Sequence, residues 1–537
     1  VLLLILFAGF LPDDQGDYFY RVNKSIDLYG RVYREIAANY VDRVDPEAFM
    51  ESGIEGMLSS LDPYTTYIDR EEGAEVDLVT TGRYGGVGIT IGAREGRIEV
   101  ISVMEGYSAQ RQGVRPGDRL TEVNGTPVSS RTPDEVRNLT RGEPGTEVRV
   151  TVSREGTPQP IEFVLIREEI QLKDVTYAEF LDQGIAYVRL ERFSRKAGDE
   201  FRQALKDLRI RGEIKGVVVD LRGNPGGLLD AAVDVVSKFV PRGSLVVTTR
   251  GRRADSERRY MTDEEPLLAS APLVVLTDRG SASAAEIVAG AVQDLDRGVI
   301  VGTRTFGKGL VQTVLPLNYG AQLKVTTARY YTPSGRSIQE VDYSARDGSG
   351  VLAPSPDTAG RAFRTAGGRS VEEHGGVTPD STVKDTDPGP MVIELRRKAM
   401  VFRFANRFGA RNGGNYAVPV DDTVMADFRR FLQEEKFDYR ERSEEIVADL
   451  RSITQELHYA PAVVADLDRL KAALALEKER GFERYSDHIR QEIAIEFAAR
   501  ARGESGRIAA MLKEDRQLDA GLAFLRKPAL YRATLSR

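Results

Sequence analysis

The chain has no cysteine and only three histidines among its 537 residues. The first absence leaves no thiol nucleophile and suits a compartment in which stray thiols are a liability. His458 and His488 fall in charged helical sequence and His374 in a loop, so no two share metal-ligand spacing. There is no His-Glu-x-x-His run either. No metal and no other cofactor is expected. Charge of one sign is scarce as well, since 75 basic residues face 82 acidic ones, for a net charge of -7. That is no basic footprint, and nucleic acid is not expected as a partner. Long apolar runs are missing too. Residues 1–11 are apolar throughout, but a bilayer takes about 20 residues. Pro12, Asp13 and Asp14 end the run sharply. It reads as the end of a signal peptide or signal anchor, residues 1–16. The body is then expected in the periplasm or cell envelope, soluble or tethered once.

What is present is organised in blocks, as several domains are expected at this length. Hydrophobic content of 41% and charged content of 29% are those of globular sequence. Residues 17–75 read as helical. Ile26, Tyr29, Val32, Tyr33 and Ile36 recur at helical spacing, and a second amphipathic run covers 46–60 before Leu61-Asp62-Pro63 stops it. Between 83 and 168, short β-rich runs separated by glycine turns are expected at 88–91, 98–103, 119–123, 148–152 and 161–165, with a helix at 133–139. From 169 to about 385, β and α alternate. Strands are expected at 184–193, 216–221, 245–249, 272–277, 299–302 and 322–331. Helices are expected at 198–208, at 227–239 and from Ser283 onward, which is an α/β core. Residues 344–370 read as a loop. After Asp387-Pro388-Gly389-Pro390 the chain is charged, amphipathic and largely helical, with runs at 391–408, 422–434, 440–456 and 461–478.

The richest stretch is 278–312, which sets Ser281 and Ser283 before an apolar helix and Lys308 in a glycine-flanked loop. No histidine lies nearby, so a hydrolase built here must activate serine with lysine. A serine hydroxyl needs an adjacent base. Lysine, with an ordinary pKa of about 10.4, becomes one only when desolvation favours its neutral form. Phe306 and the apolar strand after Lys308 are expected to supply that environment. Ala284, at the helix start, offers a free N–H and the helix dipole to an oxyanion. Gly226 or Gly227, in a turn where only glycine lets the main chain come close, offers a second donor. Glu286 is expected to serve the helix dipole. Asp294 lies 11 residues along the same helix, roughly 16 Å away at 1.5 Å per residue, and reads as structural.

Two resemblances follow from these runs. Gly85-Gly86-Val87-Gly88-Ile89, the 109–118 segment and Val123-Asn124-Gly125-Thr126-Pro127-Val128 resemble a PDZ domain. Such a domain receives a terminal carboxylate on backbone N–H groups and adds the peptide as a strand. Residues 17–385 as a whole resemble the carboxy-terminal processing proteases, the tail-specific serine peptidases. The carrying motifs are Leu61-Asp62-Pro63, Asp220-Leu221-Arg222-Gly223-Asn224-Pro225-Gly226-Gly227, Gly280-Ser281-Ala282-Ser283-Ala284-Ala285-Glu286, Thr305-Phe306-Gly307-Lys308-Gly309-Leu310-Val311-Gln312 and Ala328-Arg329-Tyr330-Tyr331-Thr332-Pro333. Tyr64 stands where the family often has histidine, and 301–304 lacks a frequent glutamate.

The resemblance implies a multidomain α/β protein. Its parts are a helical N-terminal region (17–78), a PDZ β-sandwich (79–168), a crotonase- or Clp-protease-like core (169–387) and a helical C-terminal extension (388–537). It implies Ser283 as nucleophile, 25 residues before the base Lys308. Gln312 would orient the lysine amine, and Arg141 would couple PDZ docking to activity. Substrates would be proteins with a free apolar C-terminus. A homo-oligomer formed through N- or C-terminal helices and an activating adaptor are also implied. The rival readings are a latent or non-catalytic PDZ adaptor and an acyl-CoA enzyme on the crotonase-like fold.

Overall fold

In the computed structural model, residues 14–69, 73, 78, 80–94, 96–182, 184–346, 352–354, 361–373 and 375–536 are described. The apolar run 1–11 and His374 lie outside them, as does much of the 344–370 loop. No helix among the described residues is long and apolar enough to cross a membrane. Contacts divide the chain into two compact units, residues 1–70 with 312–326, and residues 71–311 with 327–537.

In the first unit, helices span Asp14–Asn39 and Pro46–Leu58. Asp45 caps the second by accepting from Glu47 and Ala48 N–H, and Pro46 takes the first turn, where a missing N–H costs nothing. The helical expectation for 17–75 fails at residues 59–69, and residues 70–72, 74 and 75 lie outside the described residues. Asp62 accepts from the N–H groups of Tyr64 and Thr65 at 2.9 Å each, which closes a turn. Thr66–Ile68 then runs as a strand antiparallel to residues 322–324.

In the second unit, residues 83–171 form an antiparallel domain. Its sheet runs 89–94, 97–103, 119–123, 147–153, 161–166 in spatial order, and the last two strands alternate buried side chains with more exposed ones over one core. The Pro133–Thr140 helix is started by a reciprocal pair, Thr132 with Glu135. The Arg83–Gly86 strand pairs with Glu168–Gln171 where the chain leaves.

The protease-like core is a six-stranded sheet in the order 175–180, 185–190, 216–220, 273–277, 299–302, 381–382. Every neighbour pair is parallel except the first. The two central strands, Gly216–Asp220 and Leu273–Thr277, are buried throughout, as parallel strands covered on both faces must be. Helices Ala197–Arg211, Leu229–Ser237 and Ala284–Asp294 cover one face.

The C-terminal residues cover the other face. The run expected as one helix over 391–408 is two, Gly389–Arg397 and Met400–Arg411, broken at Ala399 with φ 51°. Together with Asp422–Glu434 and the start of Ser486–Met511 they enclose an aromatic core, in which Phe408 and Phe497 lie 4.7 Å apart and Phe404 and Phe428 5.1 Å. The long helix then kinks at Arg502 and Gly503 and leads to Arg516–Arg526 and Pro528–Leu535. Leu518, Leu522, Phe524 and Tyr531 pack on Ile185, Val218, Val274 and Leu276. Each such buried side chain contributes about 1.5–3 kcal/mol. The last two helices are therefore a layer of the core and not an appendage, because the sheet would otherwise leave its second face in water.

Candidate active site

Three parallel strands end side by side at Asp220, Thr277 and Gly302. The carboxyl ends of such strands are where open α/β sheets place ligands. The loops that follow, 221–227, 278–283 and 303–309, hold the residues singled out above.

Ser283 stands at the start of the Ala284–Asp294 helix with φ 55° and ψ -113°. A non-glycine residue held there costs about 1–3 kcal/mol and persists only where its surroundings over-determine it. They do so here. Ser283 N–H donates to Glu286 Oε2 at 2.9 Å, and its carbonyl accepts from Glu286 and Ile287 N–H. The first free N–H of the helix, that of Ala284, makes no hydrogen bond among the described residues.

Ser281 has a different place. It is fully buried, its hydroxyl donates to Leu221 O at 2.8 Å and accepts from Asp278 N–H at 3.0 Å. It ties the 278–283 loop to the 221–227 loop and is not available to attack a substrate.

The glycine pair lies against Ser283. A Cβ on Gly226 would come within 2.8 Å of Ser283 Cβ and 2.9 Å of Ala284 N, and φ is +99°, so only glycine fits. Asn224 holds this turn. Its Oδ1 accepts from Gly226 N–H at 2.8 Å, its Nδ2 donates to Leu190 O at 2.7 Å, and its own carbonyl accepts from Ala282 N–H at 2.9 Å. The Gly226 N–H is thus occupied. Phe193 bridges the turn on either side, with Phe193 N–H donating to Gly226 O and Leu228 N–H to Phe193 O. That alternation turns the Gly227 N–H away from Phe193, and it has no hydrogen bond among the described residues. Of the two glycines, Gly227 has the N–H to give.

Lys308 is half-buried in a loop fixed by its backbone. Its N–H donates to Glu286 Oε2 at 2.9 Å, the same oxygen that holds Ser283, and its carbonyl accepts from the Tyr330 hydroxyl. Gly309 N–H donates to Gln339 Oε1 at 2.7 Å. Phe306, expected to shield the lysine, is 46% exposed, and its N–H goes to Ser281 O. Gln312 lies four residues on, in the first unit, where its side-chain amide donates to Thr326 Oγ1 at 3.2 Å.

Glu286 was underrated by the sequence reasoning. It is fully buried, and both oxygens accept two donors each, Thr305 Oγ1 and Gly307 N–H on Oε1, Ser283 and Lys308 N–H on Oε2. Burial pushes its carboxyl above the usual range, while these donors pull it back. The helix dipole is the smaller part of its work, since it fastens the serine's backbone to the lysine's. The spacing Ser-x-x-Glu, that of a capping box, was the available signal. Glu286→Gln keeps the volume but turns an NH2 group toward two N–H donors. Leaving a buried donor unmet costs about 1–3 kcal/mol. The expected result is a lower Tm and a kcat reduced at least about tenfold at similar KM. A folded variant with unchanged kcat would show that the clamp does not set the site.

Asp294, at the far end of the helix, accepts from buried Arg336 at 2.8 Å and from the N–H of half-buried Ser334 at 3.0 Å. Among the described residues no group of His, Asp or Glu could hold a metal ion.

In the antiparallel domain, Val87 is in the core and its carbonyl accepts from Ala109 N–H, while Gly88, at φ +81°, accepts from Met104 N–H. Ile89–Arg94 is an edge strand, paired among the described residues only with 97–103, and the Pro133–Thr140 helix lies beside it. A peptide could add to that edge. A Cβ on Gly85 would sit 2.0 Å from Gly142 O, and Gly86 closes the strand against Glu168. Arg141, at the C-terminus of the helix, lies over the Tyr84 ring at 4.8 Å, next to this glycine run.

Models of known families match each block. Peptidase family S41 matches residues 184–345, a PDZ domain 99–154, the N-terminal domain of the activating protease CtpB 15–72, and the C-terminal helical domain of a probable PDZ-protease 391–525. The carboxy-terminal-processing protease of Bartonella bacilliformis is 38% identical over 321 residues, which is 59% of this chain and 73% of that protein. The carboxy-terminal processing proteases CtpB and CtpA of Bacillus subtilis are each 32% identical, over 59% and 63% of this chain and 66% and 71% of theirs. A helical N-terminal region, a PDZ domain, an S41 core and a helical C-terminal domain thus follow one another along the chain, which belongs to the carboxy-terminal processing proteases of peptidase family S41 and is a serine peptidase.

Proposed function

We propose that this peptidase cuts exported proteins near their C-termini with Ser283 as nucleophile, Lys308 as general base and the N–H groups of Ala284 and Gly227 as oxyanion donors. The observation that carries this reading is the Glu286 carboxylate, which receives Ser283 and Lys308 N–H on one oxygen, beside two unspent N–H groups. In the first step neutral Lys308 Nζ takes the Ser283 Oγ proton as Oγ bonds to the scissile carbonyl carbon. The carbonyl oxygen becomes an oxyanion facing Ala284 and Gly227. The C–N bond then breaks, and the lysine ammonium gives its proton to the departing amine. Water, losing a proton to the same lysine, attacks the acyl carbon, the C–Oγ bond breaks, and the lysine ammonium returns the proton to Ser283 Oγ as the product acid leaves and ionises. Gln312 is given the task of orienting the amine, on the family's pattern.

The PDZ domain is assigned the capture of the substrate's free C-terminus at 85–89, with the incoming strand along the Ile89–Arg94 edge. Arg141 is assigned the coupling of that capture to cleavage, supported by its stacking on Tyr84 beside the glycine run. A homo-oligomer built through N- or C-terminal helices and an activating adaptor belong to the same reading, as does a place in the cell envelope.

The test uses an unfolded protein with an apolar tail and the same protein with its C-terminus amidated. Cleavage of the first is expected to be at least about tenfold more efficient, through KM, since a desolvated carboxylate held by N–H groups is lost. Equal cleavage of both would remove tail capture from the mechanism. Arg141→Ala is expected to leave tail-peptide affinity within about twofold and to abolish stimulation of cleavage by added tail peptide. Unchanged stimulation would retire the coupling role.

A further inference from the structure

The 221–227 turn is open at its N-terminal side, at Gly223. A Cβ on Gly223 would meet no atom within 4 Å, and the turn borders a cavity of about 800 Å³ lined also by Asp278, Asp385, Arg507, Met511 and Asp515. Polar links hold this open part of the turn. Asp278 Oδ1 accepts from Gly223 N–H at 2.8 Å and Gly280 N–H at 2.9 Å. On the N-terminal side the link is Arg222, and its guanidinium is saturated. Nε and Nη2 donate to the two oxygens of Asp220 at 2.9 and 2.6 Å, Nη1 and Nη2 to the two oxygens of Asp515 at 2.9 and 2.6 Å, and Nη1 also to Gln517 Oε1 at 3.1 Å. All five N–H groups have an acceptor.

Asp220 is wholly buried and also accepts from the Tyr187 hydroxyl at 2.6 Å. Burial pushes its carboxyl up, but Arg222 holds it below its ordinary value. Asp515, only 12% exposed in its side chain, caps the Arg516–Arg526 helix by accepting from Leu518 N–H at 2.9 Å. The same carboxylate thus starts the helix that covers the sheet and grips the arginine that opens the oxyanion turn. An ion pair of this kind adds little stability over an apolar contact of equal volume, so its value lies in geometry.

We propose that Asp515 is a positioning residue for peptide hydrolysis, fixing through Arg222 the turn that aims the Gly227 N–H at the oxyanion. The proposal rests on the assignment of Ser283 and Gly227 given above.

Asp515→Asn tests it, because asparagine caps a helix as well as aspartate but cannot hold the guanidinium with two charged oxygens. Leu522→Ala is the control, since it loosens the same helix without touching Arg222. Rates are taken per active site, titrated with a fluorophosphonate. Loss of an oxyanion donor costs about 10²–10³ in kcat, and displacing one is expected to cost about tenfold. Asp515→Asn is therefore expected to lower kcat per site about tenfold with KM within about twofold, and to weaken a peptide boronate by the same factor. Leu522→Ala is expected to lower Tm with kcat per site unchanged. Wild-type kcat and boronate affinity in Asp515→Asn would overturn the proposal, as would an equal loss of kcat per site in Leu522→Ala. Should Ser283→Ala retain activity, the reading beneath it fails instead, which the same assay reports separately.

Discussion

Ser283→Ala is expected to lower peptide cleavage by about 10⁴- to 10⁶-fold while substrate binding stays within a few-fold. The size follows from the chemistry. Without Oγ no acyl-enzyme forms, and what remains is water attacking a carbonyl beside Ala284 and Gly227. Binding is spared because the loop is held at this residue through its backbone N–H and carbonyl. The backbone at φ 55° is held by Glu286 through the N–H, which alanine keeps. Incubation with a fluorophosphonate and mass measurement checks the same point, with one adduct on wild type and none on the variant. Labelling of Ser283→Ala would mean another serine reacts, and Ser281, buried between two loops, is poorly placed to be it.

Lys308→Ala carries the second large effect, a loss of about 10³-fold or more in kcat, with a change in its pH dependence. The sign is set by the proton. The lysine acts as base only when neutral, so the wild-type rate climbs as pH rises through its ionisation and levels off above. Removing the amine removes that limb. Lys308→Arg is the sharper variant, since it keeps the positive charge but cannot lose its proton near neutral pH. Cleavage by Lys308→Arg at more than a few per cent of wild type would assign the residue an electrostatic task and leave the base elsewhere. The loop survives either change, because Lys308 is held through its N–H and carbonyl by Glu286 and Tyr330.

Much of this protein was determined by the sequence alone, and the reason is that local signals suffice for it. Short β-rich runs between glycine turns mark the 97–103, 119–123, 147–153 and 161–166 strands, and near-continuous apolar runs mark the two central strands of the core. Glycine and serine motifs, in their order, identify the loops where strands end. Even here, local reading overran at residues 59–69, where Asp62 turns the chain, and at Ala399, where one amphipathic run becomes two helices.

Tertiary structure decided the rest, because it depends on partners distant along the chain. Whether Gly226 or Gly227 can offer an N–H is settled by Asn224 and Phe193, which take the neighbouring bonds. Ser281 and Ser283 look alike in sequence, and differ because Leu221 and Asp278 consume the hydroxyl of one. Glu286 becomes the clamp of the site only when the 303–309 loop is laid across its helix. Nothing in the charged run beyond residue 388 announces that its last two helices form a layer of the core. A sheet with one bare face does, and it exists only once strands from 185 to 302 have come together.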